Sequence, residues 1–346
     1  MNATEQLLSI QRLTVDVPRG DGATRLVDRF DLDIAPGERV ALVGESGSGK
    51  SVTARAIVGL NEGMRTGGSV TLEGEQLVGA PDRRMQRVRG RRIGFVFQDP
   101  LRSLNPVKTI GSQVAEPLRL AGATKQDAWR RARETLDDLG VVNAAERMRA
   151  YPFEFSGGMR QRVAIAIAMV ADPRLLIADE PTTALDTIVQ RRVLGLLDAI
   201  ARDRGVAVLL ITHDLGVVAG FADRVAVMYS GRKVEDAPVR DIYARPAHPY
   251  TQGLLAAVPR IDRPVRRLPA MPGSPVPPSR RGEGCAFAPR CALAEDRCRE
   301  AVPPLDLLSP RHEVACFVAA DRVAADRVAA DQVAVDRVAA DQEETS

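Results

Sequence analysis

The eight residues Gly44, Glu45, Ser46, Gly47, Ser48, Gly49, Lys50 and Ser51 read G-x-x-x-x-G-K-S, a phosphate-binding P-loop. The glycines allow backbone angles and close approach that a side chain would block. Lys50 can reach the β- and γ-phosphates of a nucleoside triphosphate, and the Ser51 hydroxyl can take a Mg²⁺ position. A surface turn rich in glycine would read the same in isolation. The flanks decide against it: the apolar run ERVALV (38–43) precedes the motif and SVTARAIVGL, a helical stretch, follows it. Backbone N–H groups and a helix dipole then converge on one anion.

Further chemistry-bearing residues stand at the ends of other apolar runs. IGFVFQDP (93–100) delivers Gln98, and RLLIADEP (174–181) delivers the carboxylates Asp179 and Glu180. VAVLLITHD (206–214) ends at His213. Taken alone, His213 reads as a satisfied strand-end histidine, and Asp179–Glu180 reads equally as a solvated strand end. Ser156 is a good N-cap, and Gly157 and Gly158 expose N–H groups at the start of the long helix after it, a plausible second anion site.

These runs alternate with helical segments, so the chain reads as α/β with a mostly parallel sheet and its ligand at the strands' C-terminal ends. Short strands and turns are expected over 1–37, and polar helical segments over about 101–150. The run RRMQRVRGRR (83–92) reads as a solvated helix and turn rather than a nucleic-acid patch. Composition is that of a globular chain: 45% hydrophobic, 27% charged, net charge +3, with no strong electrostatic pull on nucleic acid expected. The N-terminus MNATEQLLSI lacks the basic and apolar regions of a secretion signal. The longest apolar run, VAIAIAMVA (163–171), is too short for a membrane span.

GESGSGKS, FQDP, EFSGGM, LLIADEP, TALD and THD stand in the order of an ABC-transporter nucleotide-binding subunit, over roughly residues 5–318. VGESGSGKS, FVFQDPLRSLNP, EFSGGMRQR, HPYT and the late cysteines more narrowly resemble the D-type ATPase of dipeptide and oligopeptide importers. The resemblance implies a P-loop NTPase of ABC type: a parallel-sheet core, a small N-terminal antiparallel β region and a helical subdomain at about 101–170. It implies an ATP-binding domain at 1–236 and a proline-rich, cysteine-containing extension at 237–318. It also implies Gln98 as the residue that touches Mg²⁺ or the attacking water, Asp179 as the Mg²⁺ carboxylate and Glu180 as the general base. His213 becomes the γ-phosphate contact. Ser156, Gly157 and Gly158 become the signature loop that completes a second subunit's ATP site. Two positions depart from the family pattern: Val17 stands where many relatives stack an aromatic ring on adenine, and Phe153 stands where many peptide-importer relatives carry histidine.

Beyond Asp236 the text is dense in proline, and an extended, wrapped segment is expected rather than a helix-rich one. All four cysteines follow, Cys285, Cys291, Cys298 and Cys316, as C-x5-C-x6-C-x17-C. Clustered thiols without a secretion signal favour metal over disulfides, but the tight C-x2–4-C pair usual for zinc is missing. Zinc, disulfides and free thiols stay open on the spacing; resemblance to the peptide-importer extension implies a [4Fe–4S] cluster. Because the cysteines lie far along the chain from the P-loop, their loss is expected to damage the extension or assembly, not phosphoryl transfer. Residues 319–346 repeat DRVAA with variants, a five-residue period that puts its valines on no common helix face, so a disordered or marginally helical tail is expected.

The function implied is ATP hydrolysis coupled to import at the cytoplasmic face of the cell membrane, most directly of peptides. Nickel or another small solute is the alternative cargo. A non-transport ABC ATPase acting on ribosomes or DNA is a different class, which usually carries two cassettes or a long insertion. Implied partners are a second ATPase subunit, expected as an F-type paralogue in a heterodimer, two membrane permeases and an extracytoplasmic solute-binding protein. ATP and Mg²⁺ are the implied ligands of the cassette.

Overall fold

The computed structural model describes residues 6–20, 22–99, 103–183, 186–258 and 271–321. The expected tail from 322 onward lies outside the described residues, as do Pro100 and the start of the segment after it.

Two sheets organise the chain. An eight-stranded sheet has the order β11-β12-β10-β9-β3-β8-β7-β6. Its parallel part comprises β9 (Arg224–Tyr229), β3 (Arg39–Val43), β8 (Ala207–Thr212), β7 (Leu175–Asp179) and β6 (Ile93–Val96). These strands are buried on both faces, which explains why they read as continuous apolar runs. Along β3, Ala41 and Val43 face one core cluster while Val40 and Leu42 face the other, and β7 and β8 alternate in the same way. One cluster packs beneath the helical subdomain: α3 (Ile110–Leu120), α4 (Lys125–Asp138) and α6 (Gly157–Met169), with the short α5 (Ala144–Arg147) between them. The other packs α1 (Lys50–Ile57) and a four-stranded antiparallel sheet, order β2-β1-β4-β5, in which β4 is Arg65–Leu72 and β5 is Glu75–Gln76.

The N-terminal strands are longer than the short ones expected: β1 spans Leu8–Arg19 and β2 spans Gly22–Ile34. Register shifts interrupt their pairing, and Arg12 and Arg29 take positive φ there. The arginine run forms α2 (Asp82–Val88) and the turn after it. Arg89 donates to the Val58 carbonyl at 2.8 Å, and Arg92 pairs with Glu73 at 2.8 Å. Part of that run's charge is therefore spent within the fold.

The extension departs from expectation. Instead of a wholly extended wrap, it opens with two helices, α9 (Val239–Ala244) and α10 (Pro249–Ala256), behind the four-residue α8 (Leu215–Val218). Pro249 is tolerated because it sits at the first helical position, where its missing N–H is unused. The His248 side chain caps that helix, accepting from the Tyr250 N–H at 3.0 Å. Burial pushes the His248 pKa down to about 4, which keeps the ring neutral and able to accept. The boundary expected after Asp236 falls inside β10 (Arg232–Pro238). β12 (His312–Val314) pairs with β10, and β11 (Asp306–Ser309) with β12, so cassette and extension share one sheet. No helix among the described residues is long and apolar enough to cross a membrane.

Candidate active site

The parallel strands aim their C-terminal ends at one place. β3 runs into the P-loop, β6 into Gln98, β7 into Asp179 and Glu180, and β8 into His213. Adjacent strands thus gather residues that the sequence scatters over 169 positions, from Gly44 to His213.

Close packing dictates the P-loop's glycines. A Cβ on Gly44 would stand 2.2 Å from the Met228 carbonyl oxygen, and Gly49 holds φ at +107° while capping α1. Lys50 is buried and donates to the Gly44 and Glu45 carbonyls at 2.7 and 2.9 Å. Burial lowers its pKa, opposed by the charges of Glu180, Asp179 and Glu45. The Ser51 hydroxyl donates to Asp179 Oδ1 at 2.8 Å, while Asp179 Oδ2 is buried and has no partner among the described residues. Burial raises the pKa of that carboxyl. A desolvated carboxylate with one orphaned oxygen beside a hydroxyl is the donor set a hard cation takes.

Glu180 is held from three sides. Gln98 Nε2 donates to Oε2 at 3.0 Å, the Thr183 hydroxyl donates to the same oxygen at 2.8 Å, and His213 Nδ1 lies 3.3 Å from Oε1. Its backbone adopts φ +46°, a conformation costing about 1–3 kcal/mol and tolerated where surroundings dictate it. Its N–H donates to the Ile211 carbonyl on β8 at 2.9 Å. Thr183 was not singled out in the sequence; the only signal was its place three residues beyond Glu180.

The structure does not bring Ser156, Gly157 and Gly158 to this cluster. Ser156 caps α6, its hydroxyl accepting from Met159 N–H at 3.4 Å. The three residues line a separate groove of about 370 Å³ with Asp186, Val189 and Arg192. Upstream, exposed Phe153 stacks on Tyr151 with ring centroids 5.8 Å apart. Val17 pairs in register with Thr24, and its neighbour Asp16 holds Arg25 at 2.9 Å.

All four cysteines are free and line one small cavity, about 20 Å³, together with Phe287 and Phe317. Burial raises the thiols of Cys285, Cys291 and Cys316. Among the described residues no three His, Cys, Asp or Glu side chains are grouped tightly enough to hold a single metal ion. Two residues of the extension reach the P-loop: Tyr250, within the HPYT segment, and Arg290, which the sequence did not mark. Arg290 pairs with the Glu45 carboxylate at 2.6 and 3.1 Å, and the Tyr250 hydroxyl accepts from the Glu45 N–H at 2.8 Å.

Comparison with known proteins agrees with this geometry. The ABC transporter family matches residues 27–183, and the oligopeptide/dipeptide transporter C-terminal region matches 234–298. A putative peptide import ATP-binding protein of Brucella melitensis is 48% identical over 311 residues, 89% of this chain and 94% of that one. The oligopeptide transport ATP-binding protein OppD of Salmonella typhimurium is 45% identical over 313 residues, 90% and 93% of the two chains. Among solved structures, the dimeric post-hydrolysis state of an ATP-binding cassette bound to ADP and Pi superposes with a TM-score of 0.61. It shares 28% identity and covers 67% of this chain and 99% of its own. A nucleotide-binding loop, a shared-sheet extension and relatives matched over nearly their whole length converge: the chain belongs to the ATP-binding subunits of ABC transporters, in the branch that ends in the oligopeptide/dipeptide transporter C-terminal region.

Proposed function

We propose that this chain hydrolyses ATP to drive peptide import, working as a peripheral subunit on the cytoplasmic face of the membrane. The observation that carries the reading is the Gln98–Glu180–His213 cluster, set beside the Lys50–Ser51–Asp179 group at the ends of adjacent strands. Lys50 exchanges its two carbonyl acceptors for phosphate oxygens. Ser51 and Asp179 would hold Mg²⁺, which supplies charge neutralisation at the phosphates. Glu180 accepts a proton from the attacking water, with Gln98 and Thr183 fixing its Oε2 and His213 reaching toward the γ-phosphate. Peptide cargo is carried over from the relatives named above and from the matching C-terminal region. The test is ATP-dependent uptake of labelled di- and oligopeptides by vesicles containing the assembled transporter. Uptake of nickel instead, with no peptide competition, would move the assignment to the small-solute alternative.

The groove at Ser156–Gly158 supports a two-cassette working unit. Lying apart from the P-loop, its helix start is the part of this chain that we propose completes another subunit's ATP site, with an F-type paralogue as that partner. Substituting Ser156 is then expected to slow hydrolysis at the partner's ATP site and leave ATP binding at this chain's own P-loop intact. Single-site labelling with an azido nucleotide separates the two. A loss confined to this chain's own site would overturn the arrangement.

Four free thiols line one cavity, a donor set of the kind that holds a [4Fe–4S] cluster, and that is the group we propose for them. Anaerobically purified protein is expected to contain about four iron atoms per chain and to absorb visible light. Stoichiometric zinc without iron would decide for the mononuclear site.

A further inference from the structure

Every hydrogen-bonding group of Glu45 is tied, and each tie leads somewhere different. Its carbonyl accepts from Lys50 Nζ at 2.9 Å. Its N–H donates to the Tyr250 hydroxyl, and its carboxylate takes the two-pronged guanidinium of Arg290. Arg290 closes the 3-10 turn Ala288–Arg290 between Cys285 and Cys291. It is itself fixed: Nε donates to the Pro272 carbonyl at 2.9 Å, and the guanidinium lies 5.8 Å from the ring centroids of both Tyr229 and Phe287. Tyr250 is wholly buried, packed edge-on against Tyr229 at 4.7 Å. The Arg290 side chain is 4% exposed and the Glu45 side chain 25%.

This arrangement meets a physical need of the loop. Glu45 stands one residue past the loop's first glycine, where a bare carboxylate would repel an incoming triphosphate. A guanidinium fork neutralises that charge and fixes its direction, which a lysine could do only as a point charge. Because Glu45 also supplies the carbonyl that holds Lys50, any slack in the carboxylate's anchor passes to the phosphate-binding ammonium.

We propose that Arg290 is a positioning residue for ATP: through Glu45, the cysteine-bearing extension holds the first turn of the P-loop in its binding geometry. Nucleotide affinity and the order of the extension are thereby linked, and linkage runs in both directions. A ligand that rigidifies the P-loop also rigidifies the turn around Cys285 and Cys291.

The experiment is steady-state ATP hydrolysis by the assembled transporter, with thermal unfolding of each variant alongside. Arg290→Ala is expected to raise the KM for ATP on the order of 5–150-fold, the usual range for coupled sites, with kcat at saturating ATP falling much less. Arg290→Lys, which keeps the charge and loses the fork, should fall between parent and alanine variant, and it is the fallback should Arg290→Ala not fold. Adding Glu45→Gln to Arg290→Ala removes the stranded charge and should recover part of the lost affinity. A merely structural arginine would lower the unfolding temperature without that recovery. An unchanged KM in a folded Arg290 variant, or a double variant no better than Arg290→Ala, would overturn the proposal.

Discussion

Replacing Glu180 by Gln is expected to cut ATP turnover on the order of 10²–10⁴-fold while ATP binding stays intact. The substitution preserves shape. A Gln side chain still accepts from Gln98 and Thr183 through its carbonyl oxygen, so the cluster of three neighbours around Oε1 and Oε2 can persist. What is lost is the capacity to take a proton from water. The P-loop, tied down by Gly44, Lys50 and Ser51, is untouched, and equilibrium ATP binding measures that separately. A turnover unchanged in the assembled transporter would remove Glu180 from the role of base.

Asp179→Asn acts on a different quantity. Ser51 donates to Oδ1 and Oδ2 has no partner among the described residues, so the carboxylate sits desolvated with one oxygen idle. Burial has already raised its pKa despite the opposing charges of Arg55 and Lys50, the mark of a desolvated carboxylate. Removing that charge should increase the Mg²⁺ concentration needed for half-maximal hydrolysis by about 10–100-fold. It should not lower the thermal stability of the metal-free chain, since the desolvation of a buried carboxylate is itself a cost. An unchanged Mg²⁺ requirement would show that the cation takes its protein contacts elsewhere.

The fold was legible wherever one strand carried both its own burial and its own cargo. Each of β3, β6, β7 and β8 is a short apolar run that leads into a site residue at its C-terminal end, so strand, sheet type and site position could be read together. The N-terminal hairpin was harder because register shifts interrupt the two-residue period, and the text shows two short strands where one long pair exists. The extension was hardest. Its prolines suggested an extended path, yet Pro249 starts a helix because position, not residue type, decides whether a missing N–H matters. Sequence distance hid a contact in the same region: Arg290, next to Cys291, lies on Glu45 of the P-loop. No local pattern could reveal that contact, because its partners are 245 residues apart.

The pairing of β10 with β12 sets how this chain can be shortened or recombined. β12 and β11 cover the hydrogen-bonding edge of β10 and shield it from solvent. A chain cut before Asp306 would bare that edge as a row of unpaired N–H and C=O groups, a template for joining other chains edge to edge. Truncated forms are therefore liable to precipitate for reasons unrelated to nucleotide chemistry. A chimera that exchanges C-terminal regions at residue 236 would splice two halves of one strand. The joint that respects the sheet lies before Arg232, in the turn after β9.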